Sequence, residues 1–275
     1  MATCDLVSMS TSPSTITADL NDIQQAASDQ FGRQSHRYGK GHILEDISDV
    51  RAALEQITLP SPARVLDVAT GGGHTGLYLA GLGHEVTLSD LTRPMLQRAQ
   101  EAAGERGLQV QFAQHPAEDM PFPDGSFDLV TCRVAPHHFS APEEFVREAA
   151  RVLVPGGHFL VIDGTVPDDE PAAETWLHDV EKFRDPSHNR LLTPRTWEGL
   201  CERAGLTVLH SSIHRKKQPD LEWYFETAGT SPENRRLVTD LVTHAPEAAC
   251  RLFSLREEHG KTVWWWPMLT MIACK

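Results

Sequence analysis

Two stretches of this chain carry residues equipped to do chemistry. In the first, over residues 65–76, an apolar run reaches Asp67 and passes through Ala69 and Thr70 into Gly71, Gly72 and Gly73. Glycines there let a ligand approach the main chain closely, and the first amides of a following helix point free donors outward. In the second, Arg133 is followed by His137 and His138. An imidazole with an ordinary pKa near 6.5 can accept a proton at working pH, although a histidine pair in a loop also suits plain pocket lining.

The spacing Gly71-x-Gly73-x-x-Gly76, with Asp90 further along, matches a dinucleotide fingerprint. Asp67 argues against a diphosphate. At an effective dielectric near 20, like charges about 5 Å apart repel by roughly 3 kcal/mol. A cationic ligand turns that repulsion into attraction. S-adenosylmethionine carries both an ammonium and a sulfonium, and its ribose hydroxyls suit a carboxylate at Asp90. A nicotinamide-dependent oxidoreductase stays open as an alternative, as does a protein that binds the methionine cofactor without catalysis.

Composition narrows the partners. With 40% hydrophobic residues in 275, the chain can bury a sizeable core. A formal charge of −13 and a pI near 5.5 oppose nucleic acid, whose phosphates need a basic face. Five cysteines, none in a Cys-x-x-Cys spacing, fit reduced thiols in a cytoplasm and give no metal site. No apolar run approaches about 18 residues, so stable membrane insertion is not expected. The expected partner is a small molecule, with the oligomeric state left open.

The elements that must position these residues alternate strand and helix, which predicts an α/β fold: a doubly wound, mostly parallel seven-stranded sheet with an antiparallel edge strand and a helical lid. Residues 1–30 are expected to form an N-terminal arm, loose over 1–17, and a helix; residues 31–275 form the main domain. Strands are expected at 85–89, 108–112, 127–131 and 158–162 after the one that ends at Asp67-Val68. A helix is expected over 43–57, and a capping box at Ser140-Ala141-Pro142-Glu143 opens another. Segments 166–204 and 218–259 supply substrate-side helices and a lid, with an antiparallel strand pair at 206–213 and 263–272. His178, His188, Trp223 and Tyr224 on these segments are candidates for the substrate pocket. Tyr38 either caps a hydrophobic edge or closes over the cofactor.

Several motifs, in order and spacing, carry a more specific resemblance. They are Asp67-Val-Ala-Thr-Gly71-Gly-Gly73, Asp90, Ala117-Glu118-x-x-Pro121-Phe122-Pro123-x-x-x-Phe127-Asp128, and Arg151-Val-Leu-x-Pro155-Gly156-Gly157. Over about residues 31–164 the chain resembles a class I S-adenosylmethionine-dependent methyltransferase, and among these the ubiquinone/menaquinone biosynthesis C-methyltransferases and their small-molecule kin. The resemblance implies methyl transfer to a carbon or oxygen of a small organic acceptor. It implies that Asp67 holds the methionine ammonium, directly or through water, with Thr70 and Arg133 beside it and Ala69, Gly71 and Gly73 giving backbone contacts. Asp90 would take the ribose hydroxyls, Leu91 would pack on adenine, and Ala117 and Glu118 would serve its edge. Two departures stand out. Pro116 lies where relatives carry an acid for the adenine amino group, and Arg133-Val134 replaces the Arg-Asn pair of quinone-pathway members.

Overall fold

The computed structural model describes residues 20–39 and 41–275; the arm expected over 1–17 lies outside them. The first helix, α1 (Asp22–Gln34), is opened by a full capping box between Asn21 and Gln24 and runs through residues 30 and 31 without a break. Two short 3₁₀ turns, Ser35–Arg37 and Ile43–Glu45, lead to α2 (Ser48–Leu54). The continuous helix expected over 43–57 does not form. The Arg133 guanidinium takes the carbonyls of Leu44 and Asp46, and Asp46 Oδ1 accepts from Ser48 N, so the groups a helix would pair among themselves are engaged elsewhere.

A strand-helix alternation follows: β1 (Arg64–Val68), α3 (His74–Gly81), β2 (Glu85–Asp90), α4 (Arg93–Glu105), β3 (Gln111–Gln114), β4 (Phe127–Arg133), α5 (Pro142–Val152) and β5 (Leu153–Gly164). The third strand starts three residues later than expected, because Leu108 N closes the end of α4 on Ala103 O at 3.0 Å. The expected Ser140 cap is also absent: the Ser140 hydroxyl donates to Glu118, whose Oε1 takes the Ser140 and Ala141 amides at 2.8 and 3.2 Å. Two of the family-like motifs hold the frame. Asp128 receives the Arg64 amide and guanidinium, and Arg151 gathers the carbonyls of Met120 and Phe122.

The tail contributes α6 (Pro171–Arg184), α7 (Pro194–Arg203), β6 (Thr207–Gln218), α8 (Leu221–Ala228), α9 (Pro232–Thr243), α10 (Glu247–Phe253), β7 (Arg256–Glu258) and β8 (Lys261–Cys274). Thr193 caps α7 as its Thr-Pro sequence predicts, accepting from Thr196 N at 3.2 Å. Seven strands stand in the order β3-β2-β1-β4-β5-β8-β6, and β7 makes a short ladder with β8. The first five are parallel; β8 runs against both β5 and β6, giving the expected antiparallel pair with β6 outermost.

Alternating side chains of β1 and β4 feed two cores. Leu66 and Val130 pack with Phe145 of α5 and Trp197 of α7, whereas Val65 and Leu129 pack with Leu77 of α3 and Ala99 of α4. A third cluster, built on Trp176, Tyr224, Phe253 and Trp264, joins α6 and α8–α10 to the start of β8. Each of these large side chains adds roughly 1.5–3 kcal/mol by leaving water. Among the described residues no helix is long and apolar enough to cross a membrane, and Cys132, Cys201, Cys250 and Cys274 are free thiols.

Candidate active site

One cavity opens at the carboxyl ends of β1, β2, β4 and β5, the place where open α/β sheets receive ligands. Its empty space, open solvent at the mouth included, is about 1920 Å³.

The floor is the loop between β1 and α3. Ala69 and Val134, at the ends of β1 and β4, both hold φ above +50°, a conformation costly for side chains with a β-carbon. Such strain persists only where surroundings enforce it; here Val134 N is pinned to Ile162 O at 2.7 Å. Gly71 and Gly73 take φ of +54° and +83°, and a β-carbon on Gly72 would overlap Tyr38 O. The loop is a cradle only glycine can build.

Asp67 lies one layer beneath that cradle. It is 2% exposed and is absent from the cavity wall. Its Oδ2 accepts from Thr70 Oγ1 at 2.5 Å and Gly76 N at 3.1 Å, and its Oδ1 from Thr131 Oγ1 at 2.7 Å. The carboxylate therefore braces the loop from below, and of the two residues it is Thr70 that lines the cavity. Burial raises its pKa, against these three donors.

Asp90 does face the cavity. Its Oδ2 accepts from Gly71 N at 3.0 Å, and its Oδ1 from Thr92 N at 2.8 Å and Thr92 Oγ1 at 3.0 Å. Burial raises its pKa, opposed by those donors and reinforced by Asp67. Leu91, Met95, Pro116, Ala117 and His115 line the adjoining slot. His115 Nδ1 meets Pro116 O at 2.8 Å, and its buried Nε2 has no partner among the described residues. Glu118 borders the same slot, with Oε2 tied to Gln24 Nε2 of α1 at 3.1 Å.

A strap covers the floor. Tyr38 stacks on His42 with ring centres 4.5 Å apart and lines the cavity together with Gln30 and Phe31 of α1. Burial pushes the Tyr38 hydroxyl pKa well up and holds the His42 imidazole down at about 4. Arg133 anchors the strap: beyond the two carbonyls it pairs with Asp49 at 2.9 Å, its side chain 4% exposed.

The opposite wall carries the histidines. His137 and His138 form a 3₁₀ turn after β4, and both reach the cavity. Asp163, at the end of β5, accepts from His137 N at 2.9 Å and meets His137 Nδ1 at 2.7 Å. Burial lowers the His137 pKa but Asp163 outweighs it, and the net shift is upward. His138 is spent differently: its Nδ1 lies 3.1 Å from Ser187 O, and burial with the neighbouring His137 lowers its pKa to about 3. His188 and Trp223 line the cavity. His178 and Tyr224 do not: His178 sits behind His188, and the Tyr224 hydroxyl donates to Glu181 Oε1 at 2.7 Å within the third core. Of the expected lid over 218–259, only α8 touches the cavity.

Sequence reasoning did not single out Asp163 or the α1 residues. Asp163 had a signal, an acid closing the apolar run Phe159-Leu160-Val161-Ile162. The α1 side chains had none, since their role comes from a contact about 200 residues away, Gln30 Nε2 to Ala228 O at 2.8 Å.

Known proteins match this arrangement. Residues 66–161 fit the family described as Methyltransferase domain. An uncharacterized methyltransferase of Bacillus subtilis, YcgJ, is 31% identical over 227 residues, covering 82% of this chain and 88% of its own. A demethylmenaquinone methyltransferase of Thermus thermophilus is 40% identical, over 42% of this chain and 54% of its own. A crystal structure from Bacillus halodurans C-125, assigned to the methyltransferases, superposes with a TM-score of 0.77 at 32% identity, covering 83% of this chain and 99% of that one.

Proposed function

Because the chain belongs to the class I S-adenosylmethionine-dependent methyltransferases, we propose that the cavity holds S-adenosylmethionine over the glycine cradle and a small organic acceptor against the histidine wall. The residues present fit the cofactor. The cradle is free of β-carbons where a ligand must lie close, Asp90 offers a carboxylate at its edge, and the slot beside Leu91 is apolar with one unpartnered imidazole nitrogen. When bound, the cofactor supplies an already activated methyl group.

What the protein contributes is alignment, exclusion of water and one proton acceptor. Asp90 and the Gly71 amide fix the donor side. Leu191, Met268 and Trp266 give the acceptor side apolar walls, which suit a step in which opposite charges cancel. Asp163 keeps the proton of His137 on Nδ1 and turns Nε2, which has no protein partner among the described residues, toward use as a base. His138 is the poorer base, because its Nδ1 faces the neutral Ser187 carbonyl where His137 has a carboxylate, and burial suppresses its basicity. The acceptor is thus a molecule that arrives protonated at the atom to be methylated, an oxygen or an acidic carbon. The residues after β4 differ from the quinone-pathway pair, which favours an acceptor other than a quinol.

The observation that carries this reading is that the Asp90–Gly71 cradle and His137, backed by the buried Asp163, face one cavity. The test is mass spectrometry of cell extract incubated with the protein and isotopically labelled methyl donor. A new labelled small molecule is the expected result; label in no product, with the donor bound, would sink it.

A further inference from the structure

Methylation of a protonated acceptor releases one proton per turnover, and His137 cannot serve again until it has lost it. Its own side chain is 15% exposed, at the cavity, and its neighbours are closed off: Asp163 is 2% exposed, His138 8% and His188 2%. Beside His137, however, imidazoles continue along the cavity wall toward the surface. The His137 and His188 ring centres are 5.6 Å apart, and transfer between them calls for one water between their nitrogens. His188 Nε2 then faces His178 Nδ1 at 3.3 Å. Beyond it, His178 Nε2 is buried without a hydrogen-bond partner and lies 3.9 Å from Glu174 Oε1, on a side chain 28% exposed.

Two ring nitrogens facing each other must share a single hydrogen, one donating and the other accepting. The tautomers of His188 and His178 are therefore locked together. If His188 Nε2 carries the hydrogen, His178 holds its own on Nε2, toward Glu174; if His178 Nδ1 carries it, His188 holds its own on Nδ1. Switching between the two arrangements displaces a proton across both rings without a stable cation on either. That property matters, since burial and the neighbouring histidines strongly disfavour a charged His188.

We infer that His188 and His178 form the exit by which the acceptor's proton leaves His137 for Glu174 and solvent. The inference rests on His137 being the base. In the reaction the acceptor's bond to hydrogen breaks as its bond to the methyl carbon forms; the carbon–sulfur pair stays on sulfur, and the proton goes to His137 Nε2. His188 takes it from there, His178 releases one from Nε2 to Glu174, and one proton reaches water. Lys182 donates to His188 O, Arg190 pairs with Glu174 at the outer end, and Glu181, Asp185 and Arg184 act on the inner end.

His178 touches neither cavity nor reacting atoms, so its replacement separates the exit from binding. With labelled donor and a panel of phenols of graded acidity as acceptors, wild-type turnover tests the base reading itself. His178→Gln is expected to lower kcat about tenfold at an unchanged KM, and added imidazole to restore it, a rescue that a packing defect would not show. An unchanged kcat, or a loss that imidazole leaves in place, would overturn the exit. If no phenol is methylated, the oxygen-acceptor reading fails separately. The exit is still decided by nitrogen-15 NMR of the intact protein, where a hydrogen-bond coupling between His178 Nδ1 and His188 Nε2 is expected and its absence refutes the relay.

Discussion

The Gly71 amide donates to the Asp90 carboxylate at 3.0 Å, fastening the loop after β1 to the end of β2. The same carboxylate holds Thr92 N and its hydroxyl, so one side chain shapes the cradle and borders the cavity. Asp90→Ala should weaken S-adenosylmethionine at least tenfold, about 1.4 kcal/mol, by isothermal calorimetry. Because burial raises this pKa, the carboxylate that would accept from the ribose hydroxyls is lost sooner on acidification than for an ordinary carboxyl group. Affinity should therefore fall as pH drops toward the carboxyl range, and a flat profile would contradict that assignment.

Asp67 predicts a different pattern. Removing it strands the buried Thr131 hydroxyl and Gly76 amide, each left unmade costing about 1–3 kcal/mol, and frees the half-buried Thr70 hydroxyl. Asp67→Ala should lower both melting temperature and cofactor affinity, the latter at least about tenfold. Unchanged affinity would remove it from the donor side altogether.

His137 and His138, adjacent and both at the cavity, should behave unlike one another. His137→Asn is expected to reduce turnover about a hundredfold and to flatten its pH dependence, whereas His138→Asn leaves the profile in place. Equal effects would deny Asp163 its orienting part.

Gly72→Ala tests the strap. The added carbon would overlap Tyr38 O, so Tyr38 must lift from the loop. Limited proteolysis should then cut this segment faster, and S-adenosylmethionine should protect it less than in wild type. Protection equal to wild type would mean the strap does not close the cofactor side.

Stability should fall on mild acidification. His42 and His138 are held at about 4 and about 3, below 6.5, because burial disfavours their cations. Below pH 6.5 the unfolded chain binds protons that the folded chain refuses, so their stabilisation is complete above 6.5 and drains away as pH falls toward those values. Urea midpoints at pH 7.5 and 5 measure this, and His138→Gln should reduce the difference.

Much of this site was legible from local signals. Three glycines after an acid, and an acid closing the next strand, place the cradle and Asp90 without knowledge of distant contacts. The segments that went astray did so where remote partners override local preference. Arg133 undoes the helix over 43–57, Glu118 replaces the Ser140 cap, and Tyr224 turns to Glu181 in the core instead of the cavity. Periodicity in the tail marks helices but not which of their faces meets the sheet. Trp223 and Tyr224 are neighbours, yet one lines the cavity and the other is fully buried.

Strand β8 follows every other strand along the chain yet lies between β5 and β6, and Trp266, Pro267 and Met268 on it wall the acceptor space. During synthesis the five parallel strands emerge together with the cradle, but β6 has no neighbour to pair with until β8 arrives. The nascent protein can thus acquire the glycine cradle well before the cavity wall that β8 supplies. Release before β8 would leave β5 as an unpaired sheet border, inclined to aggregate.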